Sequence, residues 1–163
     1  MRVVFLVATL AAGCAGSPPG AGGPAAVAKA MKLEHVAFMI PDPPAAAAWY
    51  ADHLGMRIVR RLDRAPFTHF LADASGDVMF EIYNNPASKM PDYASVDPLA
   101  FHLAFVSDNL RRDRDRLVKA GATVAVEVGA VPLPGGDEMA ILRDPWGVPI
   151  QLVRRAQPML RNP

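Results

Sequence analysis

The sequence predicts an α+β domain built from two tandem βαβββ modules, and two observations carry that reading. The stretch Leu33-Glu34-His35-Val36-Ala37-Phe38 is echoed by Phe101-His102-Leu103-Ala104-Phe105: each reads His, aliphatic, Ala, Phe, and each runs into an Asp (Asp42, Asp108) able to cap a helix. A Gly then closes each helical pattern at a matching distance (Gly55, Gly121), and a Gly-bearing turn precedes each closing strand, Ala74-Ser75-Gly76-Asp77 and Asp144-Pro145-Trp146-Gly147. A repeat of this length constrains the architecture before any single residue is interpreted.

The elements follow in order. Residues 32–40 are apolar and rich in strand formers, and Pro41 stops them. Asp42 is an N-cap, with Pro43 and Pro44 in the first helical turn, where a missing N–H costs little. The helix runs to Leu54, offers Trp49, Tyr50, His53 and Leu54 for burial, and ends at Gly55. Residues 56–62, 67–72 and 78–83 supply three further strands. A polar, proline-broken connection spans 84–98. The second module repeats the order: strand 99–106, a helix capped by Asp108 with Leu110, Leu117 and Val118 on one face, then strands at 123–128, 139–142 and 148–153. Residues 156–163 read as a loose tail.

Composition narrows the class. At 163 residues the chain can bury a substantial core, and a formal net charge of +1 gives no electrostatic ground for a nucleic-acid partner. The run Arg111, Arg112, Arg114, Arg116 and Lys119 is interrupted by Asp113 and Asp115 and reads as a solvated helix face. Residues 1–14 have the outline of an export signal: one Arg, an apolar run too short to span a bilayer, and small residues ahead of Cys14. Small residues before the chain's single Cys resemble a bacterial lipoprotein signal, although Ala11 stands where Leu is usual. By that resemblance Cys14 is a lipid anchor, and without a following Asp the address is the outer membrane facing the periplasm. A simple secreted signal, giving a periplasmic protein, is the alternative. Residues 15–30 are nearly all Gly, Ala, Pro and Ser, a flexible tether, and the folded domain is expected over 31–155, with modules at about 31–84 and 99–155. One Cys excludes an internal disulfide.

Chemistry concentrates on strand faces, where residues two apart lie together. His35 shares its face with Leu33, Ala37 and Met39, and His102 with Ala100, Ala104 and Val106, so small Ala neighbours leave space beside each imidazole. Glu81 lies between Met79 and Tyr83 in an otherwise apolar strand, a costly place for a carboxylate unless it is paired or bound to a cation. Counting from the turn, its counterpart in the last strand is Gln151.

Paired βαβββ modules with these residues resemble the vicinal oxygen chelate superfamily of glyoxalase I, extradiol dioxygenases and the fosfomycin- and bleomycin-resistance proteins. The Trp49-Tyr50 to Leu54-Gly55 helix end and the Asp144-Pro145-Trp146-Gly147 turn carry much of the likeness, which covers roughly 31–155. The resemblance implies curled mixed sheets around a cavity and one divalent metal ion on His35, Glu81, His102 and Gln151. Two His and one carboxylate suit Fe, Mn, Ni or Zn. Gln151 departs from the Glu common at that position: an amide can coordinate weakly but cannot take a proton. Glu81 is thus the one carboxylate, a ligand and the candidate catalytic base. A mirrored form of the extradiol arrangement, two His and one Glu, is compatible with it.

His69 and Tyr83 are weaker candidates, an acid or base and a substrate hydrogen-bonder. His53 is explained by its helix end and Trp146 by packing. No phosphate loop or nucleophile elbow is present. The expected function is a metal-dependent lyase or dioxygenase acting on a small oxygen-chelating substrate in the cell envelope. The alternative is a metal-free protein that binds and sequesters a small molecule, as bleomycin-resistance members do. A homodimer, with modules partnered across chains, is compatible with either.

Overall fold

The computed structural model describes residues 31–159. The expected export signal, Cys14 anchor and tether, and the tail beyond 159, lie outside the described residues. Module one contains β1 (His35–Met39), α1 (Pro43–Leu54), β2 (Arg57–Arg61), β3 (His69–Ala72) and β4 (Met79–Tyr83). Module two contains β5 (Leu103–Val106), α2 (Leu110–Lys119), β6 (Thr123–Val126), β7 (Glu138–Arg143) and β8 (Pro149–Arg154). Each module is a four-stranded sheet, ordered β1-β4-β3-β2 and β5-β8-β7-β6. The first and last strand of each module pair in parallel, and the other pairs are antiparallel.

Local chemistry explains the element ends. The Asp42 carboxylate accepts from the Ala45 N–H at 3.1 Å, and Gly55 closes α1 at φ 69, a left-handed conformation that glycine adopts without strain. Two expectations are corrected. The cap of α2 is Asn109, whose side chain accepts from the Arg112 N–H at 3.0 Å; Asp108 stands one residue outside. Residues 99–102, expected to open the strand, lie outside it, and β5 begins at Leu103. The Asp97 carboxylate accepts from the Leu99 N–H at 2.9 Å and its carbonyl from Ala100 at 2.9 Å, so this backbone is committed before β5 begins.

The repeat extends to register. Ala37 pairs with Glu81 on β4, and Ala104 pairs with Gln151 on β8. Each second strand carries an irregularity at the same place, between Ile58 and Arg60 in β2 and between Val124 and Val126 in β6.

The helix-bearing faces of both sheets bury into one core. Phe38, Ile40, Leu71 and Ile82 from module one join Leu103, Leu142, Ile150 and Leu152 from module two. Phe80 and Phe105 meet edge to face with centroids 5.9 Å apart. Helix α1 bonds directly to the second module: the Trp49 indole N–H donates to the Ala120 carbonyl at 2.8 Å, and the Tyr50 hydroxyl donates to Asp144 Oδ2 at 2.5 Å. Asp144 Oδ1 accepts from the N–H groups of Trp146 and Val148, both at 2.9 Å. Asp144 is 4% exposed. Burial raises its carboxyl above the ordinary range, against the donation from Tyr50 and from the backbone of the turn. The two sheets form no closed barrel, and each keeps a second face turned away from the shared core.

A carboxyl whose folded pKa exceeds its unfolded one binds more protons when folded, so its share of stability declines as pH rises through that window. Tyr50→Phe removes a donor from this buried acceptor and is expected to cost about 1–3 kcal/mol in denaturant unfolding at neutral pH. The Asp144 carboxyl should then titrate higher than in the parent, as read by carboxyl-carbon NMR, because the lost hydroxyl had favoured its ionised form.

Candidate functional site

The turned-away face of the first sheet carries His35, Ala37 and Met39 from β1 and Met79, Glu81 and Tyr83 from β4, set there by alternation and by the pairing of His35 with Met79 and Ala37 with Glu81. His35 Nε2 lies 3.3 Å from Glu81 Oε2, with side-chain exposures of 36% and 25%. Behind the ring, Nδ1 is hydrogen-bonded to the Glu34 carboxylate. That bond holds the imidazole above the usual histidine range, partial desolvation acts against it, and the charges of Glu34 and Glu81 add to it. Phe70 meets the His35 ring edge to face at 6.0 Å.

This pair fits one edge of a metal site. Two ligands about 2.1 Å from a tetrahedral ion lie roughly 3.4 Å from each other. A carboxylate on Nδ1 fixes the tautomer that leaves Nε2 free to ligate, and metal-binding histidines commonly have such a partner. The pair supplies only two ligands. Among the described residues no group of three or more His, Cys, Asp or Glu comes together in a metal-holding arrangement.

The corresponding face of the second sheet carries Ala104, Gln151 and Val153, and His102 stands immediately before β5. His102 Nδ1 donates to the Pro98 carbonyl at 2.8 Å, which again leaves Nε2 as the acceptor. Gln151 Nε2 contacts Met139 Sδ at 2.7 Å, so its carbonyl oxygen is the atom left to serve a ligand. A cavity of about 490 Å³ lies on this face, lined by Ala104, Val106, Val153 and Met159 among others.

The four residues expected to act as one set of ligands therefore fall into two separate pairs, His35 with Glu81 in the first module and His102 with Gln151 in the second. The cause is the shared core: both helix-bearing faces are buried in it, so the two histidine faces point away from it. His69 lies on the core side of β3, paired with Ile82, 5% exposed, its Nδ1 donating to the Phe67 carbonyl at 2.8 Å. That is the face opposite Glu81. Tyr83 shares the open face with Glu81 and closes β4 two residues further on, paired with Met39.

Two participants escaped the reading of the sequence. Glu34 was legible only as the neighbour of His35, with nothing to say that its carboxylate would turn back onto the ring. Arg60 reaches the His35 face because β2 is irregular before it, and no local sequence signal marks that extra residue.

Comparison with known proteins agrees with this architecture. The description Glyoxalase/Bleomycin resistance protein/Dioxygenase superfamily matches residues 32–152. No curated protein matches the chain in sequence. Among solved structures, a glyoxalase family protein from Bacillus cereus is 15% identical with a TM-score of 0.66, covering 80% of this chain and 98% of its own. TnmS3, an antibiotic binding protein from Streptomyces sp. CB03234, is 18% identical with a TM-score of 0.59, covering 79% and 99%. Glyoxalase I from Zea mays is 21% identical with a TM-score of 0.61, covering 77% of this chain and 45% of its own. At these identities the structural likeness establishes the fold. The match over residues 32–152 establishes more: the chain belongs to the Glyoxalase/Bleomycin resistance protein/Dioxygenase superfamily.

Proposed function

We propose that this protein binds a divalent metal ion and acts on a small oxygen-chelating substrate as a lyase or dioxygenase of its superfamily. The observation that carries the proposal is the His35–Glu81 pair at 3.3 Å with Glu34 behind the imidazole. A bound ion would supply Lewis-acid polarisation of a substrate oxygen. His35 and His102 would hold it through Nε2, Glu81 through its carboxylate and Gln151 through its amide oxygen. Glu81 is the one carboxylate among the four side chains, and a carboxylate oxygen can accept a proton where the Gln151 amide cannot.

Because the half-sites face away from one core, the site we propose is shared in a homodimer, the first sheet of one protomer meeting the second sheet of its partner. Each such contact would unite two His, one Glu and one Gln, and a two-fold dimer would hold two sites. We further propose export to the cell envelope, on the strength of residues 1–14, with Cys14 as a lipid anchor. That address favours small oxygenated or aromatic molecules over cytosolic thiol adducts.

A second reading has its own support. Gln151 in place of a carboxylate weakens the ligand set, and TnmS3, with the same fold, is an antibiotic binding protein. On that reading the open faces enclose and sequester a small molecule without chemistry.

Reconstitution with Fe, Mn, Ni or Zn separates the two. The metalloprotein reading expects about one ion per chain, lost in His35→Ala and in Glu81→Ala. A protein that takes up no ion yet retains ligand affinity belongs to the second reading. Glu34→Gln keeps a hydrogen-bonding side chain but removes the charge, and is expected to weaken metal affinity about 10- to 100-fold without unfolding the domain. Calorimetric titration of metal into the apo-protein checks this; unchanged affinity would show that Glu34 has no part in the site.

A further inference from the structure

The open face of the first sheet extends past the His35–Glu81 pair to the edge strand β2. Register places a single row across all four strands: Ala37 on β1, Glu81 on β4, Phe70 on β3 and Arg60 on β2. Neighbouring strands lie about 4.8 Å apart, so Arg60 stands roughly 10 Å from Glu81 along that row. The irregularity between Ile58 and Arg60 sets this up. Ile58 pairs with Leu71, a core residue, and with strict alternation the open-face position paired with Phe70 would fall to Val59. The extra residue delivers Arg60 to it instead.

A cavity of about 310 Å³ joins these features, lined by Glu34, His35, Val59, Arg60, Phe70 and Met79. One end holds the imidazole with its carboxylate partners, the middle is apolar, and the other end is a guanidinium. The nearby carboxylates are engaged with His35: Glu34 with Nδ1 and Glu81 facing Nε2. Arg60 makes no ion pair with any described residue. Arg57 occupies the neighbouring row, opposite Ala72.

We infer that Arg60 is a specificity-determining residue and that the ligand is a planar apolar molecule with an oxyanion at one end. The ring or conjugated body lies over Phe70 and Met79, the oxyanion meets the Arg60 fork, and the opposite end is presented to His35 and Glu81. A fixed guanidinium fork recognises a carboxylate or phosphoryl group by two parallel hydrogen bonds, which a neutral isostere cannot reproduce. The inference rests on the reading of this face as the ligand side of the proposed site, but not on metal being bound there.

The test is calorimetric binding to the intact protein, metal-stripped and metal-loaded, with 4-hydroxycinnamate, its methyl ester and 2-phenylethylphosphonate as probes. The expected result is that at least one oxyanion binds about tenfold or more tighter than the ester, the stronger of the two identifying the oxyanion class. Arg60→Gln should abolish that preference while leaving ester affinity and metal content unchanged, and Arg60→Lys should restore part of it. Equal binding of acids and ester by the parent, no binding of any probe, or an intact preference in Arg60→Gln overturns the inference. Failure of the metalloprotein reading is seen separately, as absent metal uptake with the oxyanion preference preserved.

Discussion

The burial of both helix-bearing sheet faces in one core decides what this molecule can do. Tyr50 and Trp49 on α1 bond to Asp144 and Ala120 in the second module, and Phe80 packs against Phe105 across the same junction. These contacts satisfy polar groups inside a continuous apolar cluster, so separating the modules would expose a large area and leave a carboxylate without its hydroxyl donor. The joint is therefore a fixed feature of the fold. Its geometric consequence is that the remaining faces, which carry the histidines, lie on the far side of each sheet from that core.

That arrangement gives the imperfect repeat a physical meaning. The modules agree in backbone: Ala37 pairs with Glu81 as Ala104 pairs with Gln151, and both histidines have Nδ1 occupied by an oxygen partner. They differ in what stands around the ring. His35 is held between two carboxylates, whereas His102 is held by a backbone carbonyl and neighboured by an amide. The first pair is flanked by carboxylates, the second by a backbone carbonyl, an amide and a larger cavity. Two unlike halves suit the assembly of a site across two copies of the chain, each contributing what the other lacks.

Much of this was legible in the sequence. Alternation along residues 32–40 and 99–106 put His35 and His102 on faces with alanines, and counting from the glycine turns correctly matched Glu81 with Gln151. The cap at Asp42 and the glycine at 55 behaved as their chemistry requires. The missed boundaries have local causes: Asn109 competes with Asp108 for the same cap, and the Asp97 side chain accepts from the Leu99 N–H ahead of β5. The separation of the half-sites was not legible, because an apolar strand face does not reveal which neighbouring module covers it. Trp49, Tyr50 and the turn at Asp144 all stood out as motifs, yet nothing in either stretch says that they touch. Nor does a β-branched run such as Ile58-Val59 announce the irregularity that turns Arg60 toward His35.

The central claim is that the site is assembled between protomers, and complementation measures it directly. One variant, His35→Ala with Glu81→Ala, lacks the first half-site; a second, His102→Ala with Gln151→Ala, lacks the other. Each alone should bind no metal tightly. When the two are unfolded together and refolded, heterodimers identified by native mass spectrometry should carry one tightly bound ion, because one of their two interfaces pairs an intact first sheet with an intact second sheet. Heterodimers that form but remain without metal, while the parent dimer binds it, would contradict the account.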